Sequence, residues 1–224
     1  MIDLHTHTIF SDGELIPSEL LQRTKAMGYS AVAITDHADP TNIEYLIKSI
    51  QKIKTFQDSY DLQILVGVEL THVLPSQISQ LAAKARKMGA EIIVVHGETI
   101  VEPVAAGTNH EALKSDIDIL AHPGFITPED VKLAADNDIY LELTSRCGHN
   151  YTNGYVARIA TDYGAKLVVN SDTHAPRDLM TEGKALDIAA GAGLTRSEAE
   201  QVMKNSKELV DRINQHCKAT VSTI

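Results

Sequence analysis

The sequence predicts an α/β fold in which parallel strands close into a barrel, organised as a single domain over residues 1–224. Seven short runs rich in Val, Ile and Leu recur along the chain, and a longer segment of helical character follows each of them. This alternation, without a linker rich in Pro, Gly or Ser, indicates one α/β domain. Residues able to bind metal ions stand at the ends of most runs, which favours a closed barrel over an open sheet.

The apolar runs are typical of strands in a buried parallel sheet. Residues 90–95, Ala-Glu-Ile-Ile-Val-Val, form a nearly continuous apolar run, as expected where helices cover both faces of a sheet. Aromatic residues make up only 4% of the chain, so branched aliphatic side chains must form the core. The predicted strands cover residues 2–4, 31–35, 62–70, 91–95, 117–121, 139–144 and 166–170.

The segments between the runs carry helix signals. Apolar residues keep helical spacing over residues 20–27 and 81–88, and a glycine that can cap a helix C-terminus follows each segment. Residues 127–130, Thr-Pro-Glu-Asp, predict a helix start with a Thr N-cap and a Pro in the first turn. Residues 195–198, Thr-Arg-Ser-Glu, have the form of a capping box.

Composition narrows the possible location and partners. The start of the chain lacks a basic segment followed by an apolar run, and no stretch approaches the roughly 20 apolar residues of a membrane span, so we expect a cytoplasmic protein. Cys147 and Cys217 lack a Cys-x-x-Cys partner, which argues against a disulfide framework or a cysteine zinc site. The net charge of −10 disfavours a long nucleic acid but permits a small anionic substrate in a cation-lined cleft.

Six of the seven runs end in potential metal ligands, whereas the sixth ends in Thr144-Ser145-Arg146. In a barrel all strands point the same way, so these ends gather on one rim; in an open sheet the outermost would be too far apart for one site. The ligand-bearing segments are His5-Thr6-His7, Asp36-His37, Gly67-Val68-Glu69, Val95-His96-Gly97, Ala121-His122-Pro123 and Ser171-Asp172-Thr173-His174.

Imidazole and carboxylate groups together are the usual ligands of zinc and related ions. His5 and His7 are two residues apart, so on a strand both side chains point to the same side. Each segment alone has an ordinary explanation, such as a helix N-cap at Asp36 or a turn at His122-Pro123. Their recurrence at equivalent positions favours a site that holds two or three divalent ions.

Four of these segments together resemble the signature of the PHP (polymerase and histidinol phosphatase) family. They are His5-Thr6-His7, Thr35-Asp36-His37, Ala121-His122-Pro123 and Ser171-Asp172-Thr173-His174, in the order of the family. The resemblance extends from about residue 2 to about residue 215. It implies a distorted TIM-like (β/α)7 barrel, in agreement with the seven runs, and a cluster of zinc, manganese or iron ions.

The resemblance also implies a distribution of ligands over three ions. Some family members have a His at the position of Asp12, and an acid there favours a harder ion such as Mn²⁺. By position, the first ion would be held by His5, His7, Glu69 and Asp172, the second by Glu69, His96 and His122, and the third by Asp12, His37 and His174.

The activity implied by the resemblance is hydrolysis of phosphate esters by a metal-bound hydroxide, without a covalent intermediate. Phosphate monoesters are the expected substrates, either histidinol phosphate or a small nucleotide or metabolite phosphate. Among the ligands, Glu69, Asp172 and His174 are the candidates for catalytic roles. A guanidinium group matches a phosphate by a bidentate fork, and the candidates for substrate contacts are Arg146, Arg177 and His149.

Three other functions remain open at the level of sequence. A phosphodiesterase or nuclease acting on nucleotides or oligonucleotides is the main alternative, although the chain has no basic stripe. A carbon–nitrogen hydrolase of the amidohydrolase type also uses a His-x-His motif, but no Lys stands at a strand end here. A metal-stabilised scaffold is disfavoured because all nine ligand positions are filled. The sequence does not indicate an oligomeric state.

Overall fold

The computed structural model describes residues 1–221, with side-chain surroundings described for residues 1–216. Short parallel strands alternate with helices along the chain. The strands are β1 (Ile2–Asp3), β2 (Ala31–Ile34), β3 (His37–Ala38), β4 (Gln63–Leu70), β5 (Ile92–His96), β6 (Ile119–Ala121), β7 (Tyr140–Thr144) and β8 (Leu167–Asn170).

Helices follow the strands and form the outer layer. They are α1 (Pro17–Ala26), α2 (Ile43–Lys54), α3 (Gln57–Tyr60), α4 (Pro75–Lys87), α5 (Thr108–Leu113), α6 (Pro128–Asp136), α7 (Asn153–Tyr163), α8 (Glu182–Gly191) and α9 (Arg196–Val221). Two 3₁₀ turns, His149–Thr152 and Pro176–Asp178, follow β7 and β8. Within the described residues, none of the helices is long and apolar enough to cross a bilayer.

The strands run in the order β1-β2-β4-β5-β6-β7-β8, all parallel, and the short β3 pairs with the end of β4. Each of the seven predicted runs forms one of the strands in this order, so the predicted distorted barrel is confirmed. The two-residue β3 was not predicted. It places His37, one of the predicted ligands, beside Glu69 at the end of β4.

Side chains close much of the seam between β8 and β1. The Oδ1 atom of Asn170 accepts a hydrogen bond from the backbone N–H of Leu4 at 3.0 Å, and the Oδ1 atom of Asp3 accepts one from Ser171 at 3.2 Å. Nearer the carboxyl ends, the backbone N–H of His7 donates to the carbonyl of Thr173 at 2.8 Å. The barrel is therefore nearly closed, and the first and last ligand segments lie side by side.

The helix signals in the sequence are confirmed where they were specific. The hydroxyl of Thr127 accepts a hydrogen bond from the backbone N–H of Asp130 and caps α6. Thr195 and Glu198 bond reciprocally at the start of α9, as a capping box requires. The periodic segments at 20–27 and 81–88 lie within or at the ends of α1 and α4.

Alternation along the strands separates two apolar layers. In β4, Leu65 belongs to the cluster inside the barrel, whereas Ile64 and Val66 pack outward against the helices. Because side chains alternate across a strand, Glu69 shares the inner face with Leu65. The same rule places His96 on the inner face with Val94. The apolar interior therefore gives way to ligand-type side chains at the carboxyl ends of the strands.

Candidate metal centre

The innermost group of predicted ligands lies at the end of β1. His5, His7 and Asp172 each present a ligand atom within 4.8 Å of the other two, and all three side chains are buried. The Nε2 atom of His7 lies 3.2 Å from Oδ1 of Asp172. The Nε2 atom of His5 lies 3.3 Å from Oε1 of Glu69, so the four residues expected around the first ion lie close together.

A second group lies closer to the mouth of the barrel. His7, Asp12, His37 and His174 have ligand atoms within 4.8 Å of one another. The carboxylate of Asp12 joins the group, because its Oδ1 atom lies 3.2 Å from Nε2 of His174 and 3.4 Å from Nε2 of His37. The side chain of Asp12 is 56% exposed, so this group, which corresponds to the predicted third ion, is the most open to solvent of the three.

The residues expected around the second ion are divided between groups that share His122. Glu69 forms a close group with His5 and His122, and His96 belongs to two further groups. One of these contains His96, His122 and His149, all buried, with ligand atoms within 4.8 Å. His149, which the sequence suggested as a substrate contact, therefore lies among the ligand candidates.

Glu69 is the carboxylate that links the groups. Its Oε1 atom faces His5 and His122, whereas its Oε2 atom lies 2.7 Å from Nδ1 of His37 and 3.6 Å from Nε2 of His7. Burial opposes a charge on Glu69, but the imidazoles of His5 and His37 outweigh it and hold the pKa of this carboxyl well below its usual value. Glu69 is therefore ionised and able to bridge two cations.

The histidines divide into two electrostatic classes. Burial lowers the pKa of His7 to about 3, and burial together with the neighbouring His96 lowers the pKa of His122. These imidazoles are neutral, which is the form that binds metal. Burial also opposes a charge on His5, but the carboxylates of Glu142 and Glu69 outweigh it and raise the pKa of His5. The carboxylates of the site thus stabilise a positive charge at the buried position of His5.

Several buried atoms of the cluster have no hydrogen-bond partner within the described residues. Buried polar atoms are normally paired, so a convergent set of unpaired ones indicates a bound group. Imidazole nitrogens and a carboxylate oxygen that converge in this way fit a divalent cation. These atoms are Nε2 of His5, Nδ1 and Nε2 of His7, Oε1 of Glu69, and Nδ1 of His122 and of His149.

Glu142 orients the first ligand, and sequence analysis missed it. It lies within β7, where its Oε1 atom accepts a hydrogen bond from Nδ1 of His5 at 2.8 Å and another from Nδ2 of Asn170 at 2.9 Å. With Nδ1 occupied, His5 presents Nε2 toward Glu69 and Asp172. An acidic residue within the apolar run 139–144 was the available signal.

Replacing Glu142 with Gln is expected to weaken metal binding or activity by about 10- to 100-fold, the usual cost of an outer-shell change. The neutral amide supports the His5 tautomer less well than a carboxylate does. Elemental analysis and hydrolysis rates would measure the effect, with E129Q on the exposed start of α6 as the matched control. A variant E142Q with unchanged metal affinity and rate would contradict the orienting role.

The two arginines suggested for substrate contacts lie in different environments. Nη1 of Arg146 lies 3.4 Å from Oδ2 of Asp178, which also accepts the backbone N–H of His174, so Arg146 borders the ligand loop. The side chain of Arg177 is 78% exposed and pairs with Glu14 at 3.6 Å. Contact of Arg146, Arg177 or His149 with substrate stays a prediction.

A further acidic residue, Glu102, lies at the rim. It stands in the loop between β5 and α5, and its carboxylate approaches His96 and His149 at 3.1 and 3.3 Å. The hydrogen bond to His96 lowers the pKa of Glu102 to about 2. Sequence analysis missed it because Glu102 lies six residues beyond its strand, where strand alternation gives no direction.

Comparison with known proteins identifies a family. The family model described as "PHP domain" matches residues 3–219, almost the whole chain. An uncharacterized protein of Methanocaldococcus jannaschii is 51% identical over 94% of this chain and 99% of its own length. Ribonuclease P protein component 3 of Methanosarcina barkeri is 27% identical, covering 88% and 82% of the two chains. A probable phosphatase of Shewanella loihica is 26% identical, covering 84% and 83%.

Solved structures agree with the fold. A chain in the cryo-EM structure of archaeal ribonuclease P with mature tRNA superposes with a TM-score of 0.74 at 16% identity, covering 96% of this chain and 92% of that one. Histidinol phosphate phosphatase from Lactococcus lactis, complexed with zinc, L-histidinol and phosphate, has a TM-score of 0.62 at 15% identity, with coverage of 87% and 94%. At these identities the likeness establishes the barrel fold.

Proposed function

The chain belongs to the PHP domain family, and we propose that it is a metal-dependent hydrolase of small phosphate monoesters. One observation carries the proposal: buried, unpaired imidazole nitrogens and an ionised carboxylate converge at the carboxyl end of the barrel. An arrangement of this kind is costly to fold unless a cation occupies it. Divalent ions would supply Lewis acidity and acidify a water molecule for attack on phosphorus.

The residues of the site have distinct roles in this proposal. His5, His7 and Asp172 form the buried floor, and Glu69 links the floor to the neighbouring groups. Asp12 and His174 lie at the open side, where a phosphate can enter. Divalent ions held by these residues would outweigh the carboxylates of the rim, and would attract a phosphate dianion and stabilise the charge that develops during hydrolysis.

Phosphate monoesters are favoured over polymers for two reasons. The chain carries a net charge of −10, which opposes binding of a long phosphate backbone. Similar proteins include a probable phosphatase and a histidinol phosphate phosphatase. Histidinol phosphate and small nucleotide or metabolite phosphates are therefore the first substrates to test. The cytoplasmic location stays a prediction from the sequence.

The test is a screen of phosphomonoesters, with histidinol phosphate and nucleotides among them, in the presence of Mn²⁺, Zn²⁺ or Fe²⁺. We expect release of inorganic phosphate from at least one monoester, with a D172N variant giving the background rate. Elemental analysis of the purified protein should find two or three ions per chain. Protein that contains no metal, and that gains no activity from any added ion, would rule out the proposal.

A phosphodiesterase or nuclease is the second candidate. The specific observation in its favour is the similarity to ribonuclease P protein component 3 over most of both chains. The same screen separates the two functions if it includes short RNA and DNA oligonucleotides. Shortening of an oligonucleotide without phosphate release from any monoester would favour the second candidate.

A further inference from the structure

The loop between β5 and α5 brings a carboxylate into the middle of three histidines. Oε2 of Glu102 lies 3.1 Å from Nε2 of His96 and 3.2 Å from Nε2 of His72, and Oε1 lies 3.3 Å from Nε2 of His149. The three imidazoles come from three segments of the chain, namely the loop after β4, the end of β5 and the 3₁₀ turn after β7. Each presents the same ring nitrogen to one carboxylate.

This loop is fixed at both ends. The Oε1 atom of Glu98 accepts hydrogen bonds from the backbone N–H groups of Gly107 and Asn109, both at 3.0 Å, and Oδ1 of Asn109 accepts the N–H of Glu98 at 2.9 Å. The carbonyl oxygen of Glu98 also lies against Gly124, only 1.9 Å from where a Cβ atom would stand, so this close approach requires glycine. Glu102 is therefore held at the rim by an anchored loop.

His149 supplies a second, independent observation. It is buried, its ring centroid lies 4.3 Å from that of His122, and its Nδ1 atom has no hydrogen-bond partner within the described residues. The ligand atoms of His96, His122 and His149 lie within 4.8 Å of one another. A histidine that only faced solvent or substrate would not need to be buried against two other imidazoles.

We propose that Glu102 and His149 are ligands of the same ion as His96 and His122, so that three imidazoles and one carboxylate surround it. This inference rests on the proposed metal centre and changes the set of ligands around its second ion, the one expected at His96 and His122. Three imidazoles and a carboxylate form a tetrahedral set suited to zinc. His72 lies 3.2 Å from Oε2 of Glu102 but is 45% exposed, so it orients the carboxylate from the solvent side.

The consequence is a difference in occupancy between the ions. Four protein ligands close this position, whereas catalytic sites keep one position open for water or substrate. The ion at His96 is then expected to be held more tightly than the ion at Asp12. The ion at Asp12, whose side chain is 56% exposed, should be removed first.

Metal affinity tests the proposal directly. Variants E102Q and H149Q would be dialysed against graded concentrations of a weak chelator, and the retained ions counted by elemental analysis. Each variant should bind one ion at least about 100-fold more weakly, because loss of a direct ligand should cost no less than the largest outer-shell effects. In H72Q, which changes only an outer-shell residue, the affinity for this ion should fall about 10-fold. E111Q and H110Q are matched controls, since Glu111 pairs with Lys114 and His110 with Asp130.

Cobalt provides a readout that does not depend on affinity. In Co²⁺-loaded protein, loss of one ligand should change the visible absorption of one ion in both E102Q and H149Q, and circular dichroism would check folding. The two variants alter different segments, so misfolding of one leaves the other informative. Unchanged ion retention and unchanged Co²⁺ spectra in the folded variants would overturn the inference.

The outcomes also separate this inference from the proposed function. The wild-type protein could bind ions and hydrolyse phosphomonoesters while E102Q and H149Q bind metal unaltered. That result would contradict only the assignment of Glu102 and His149 as ligands. In that case Glu102 forms ordinary ion pairs with the histidines. If the wild-type protein binds no ion at all, the proposed function itself is contradicted.

Discussion

Replacing Glu69 with Gln is expected to lower the rate of phosphate release by about 10²- to 10³-fold, the scale of loss seen when one electrostatic group is removed from an active site. Glu69 lies within 4 Å of His5, His7, His37 and His122 through its two oxygens. Gln retains the shape but has one neutral oxygen and an NH₂ group, which would point at imidazole nitrogens. It cannot bridge two cations.

The same substitution is expected to leave the metal-free protein folded. Glu69 is fully buried, and a buried carboxylate costs free energy unless a positive charge compensates it. The imidazoles of His5 and His37 compensate this carboxylate and hold its pKa well below its usual value, so its charge stabilises the metal-free protein. Removing the charge should therefore lower the melting temperature of the metal-free protein, and the metal-loaded protein should lose more stability because it also loses ion binding.

Rates of phosphate release, ion content and melting temperature would be measured together for E69Q and wild type. E129Q, with its exposed carboxylate at the start of α6, is the control for the chemical change alone. Activity within 10-fold of wild type, or an unaltered ion content, would contradict the bridging role. An unfolded circular dichroism spectrum of E69Q without metal at the assay temperature would instead attribute the loss to misfolding.

The proximity of the candidate ligands at the strand ends could be predicted because strand geometry is regular. His5 and His7 share a face, and Glu69 and His96 continue the inner faces of β4 and β5. In a closed barrel every inner face converges at one rim, so sequence position alone fixes approximate proximity. Recognition of the family added Asp12, which lies in a loop five residues beyond His7.

The residues that sequence analysis missed depend on relations between segments. Glu142 reaches His5 because β7, β8 and β1 lie side by side, and Asn170 spans the seam between them. Glu102 reaches the rim through an irregular loop, whose path is set by contacts such as those of Glu98 and Gly124. No periodicity encodes such a path. The closed barrel was therefore predictable, whereas the contacts of Glu102 with His96 and His149 were not.

Removal of the ions is expected to abolish activity and to lower the melting temperature by about 10–20 °C. A bound ion at 100 times its dissociation constant contributes about 2.7 kcal/mol, so two ions contribute about 5 kcal/mol. For a chain of this size, each kcal/mol shifts the melting temperature by about 2–4 °C. Without cations, the ionised carboxylates of Glu69 and Asp172 stay buried with only imidazoles to compensate them.

The fold itself should survive this treatment. The inner cluster around Leu65 and Val94 is closed at the other end of the barrel by apolar residues of α9, and it contains no ligand. Calorimetry with and without chelator would measure the shift in melting temperature, and addition of Mn²⁺ or Zn²⁺ would test its reversal. Of the variants, E69Q should show the smallest shift. Equal melting temperatures and rates in both conditions would exclude a metal centre. Complete unfolding in chelator would instead indicate ions that are structural, because the barrel would then depend on them to fold.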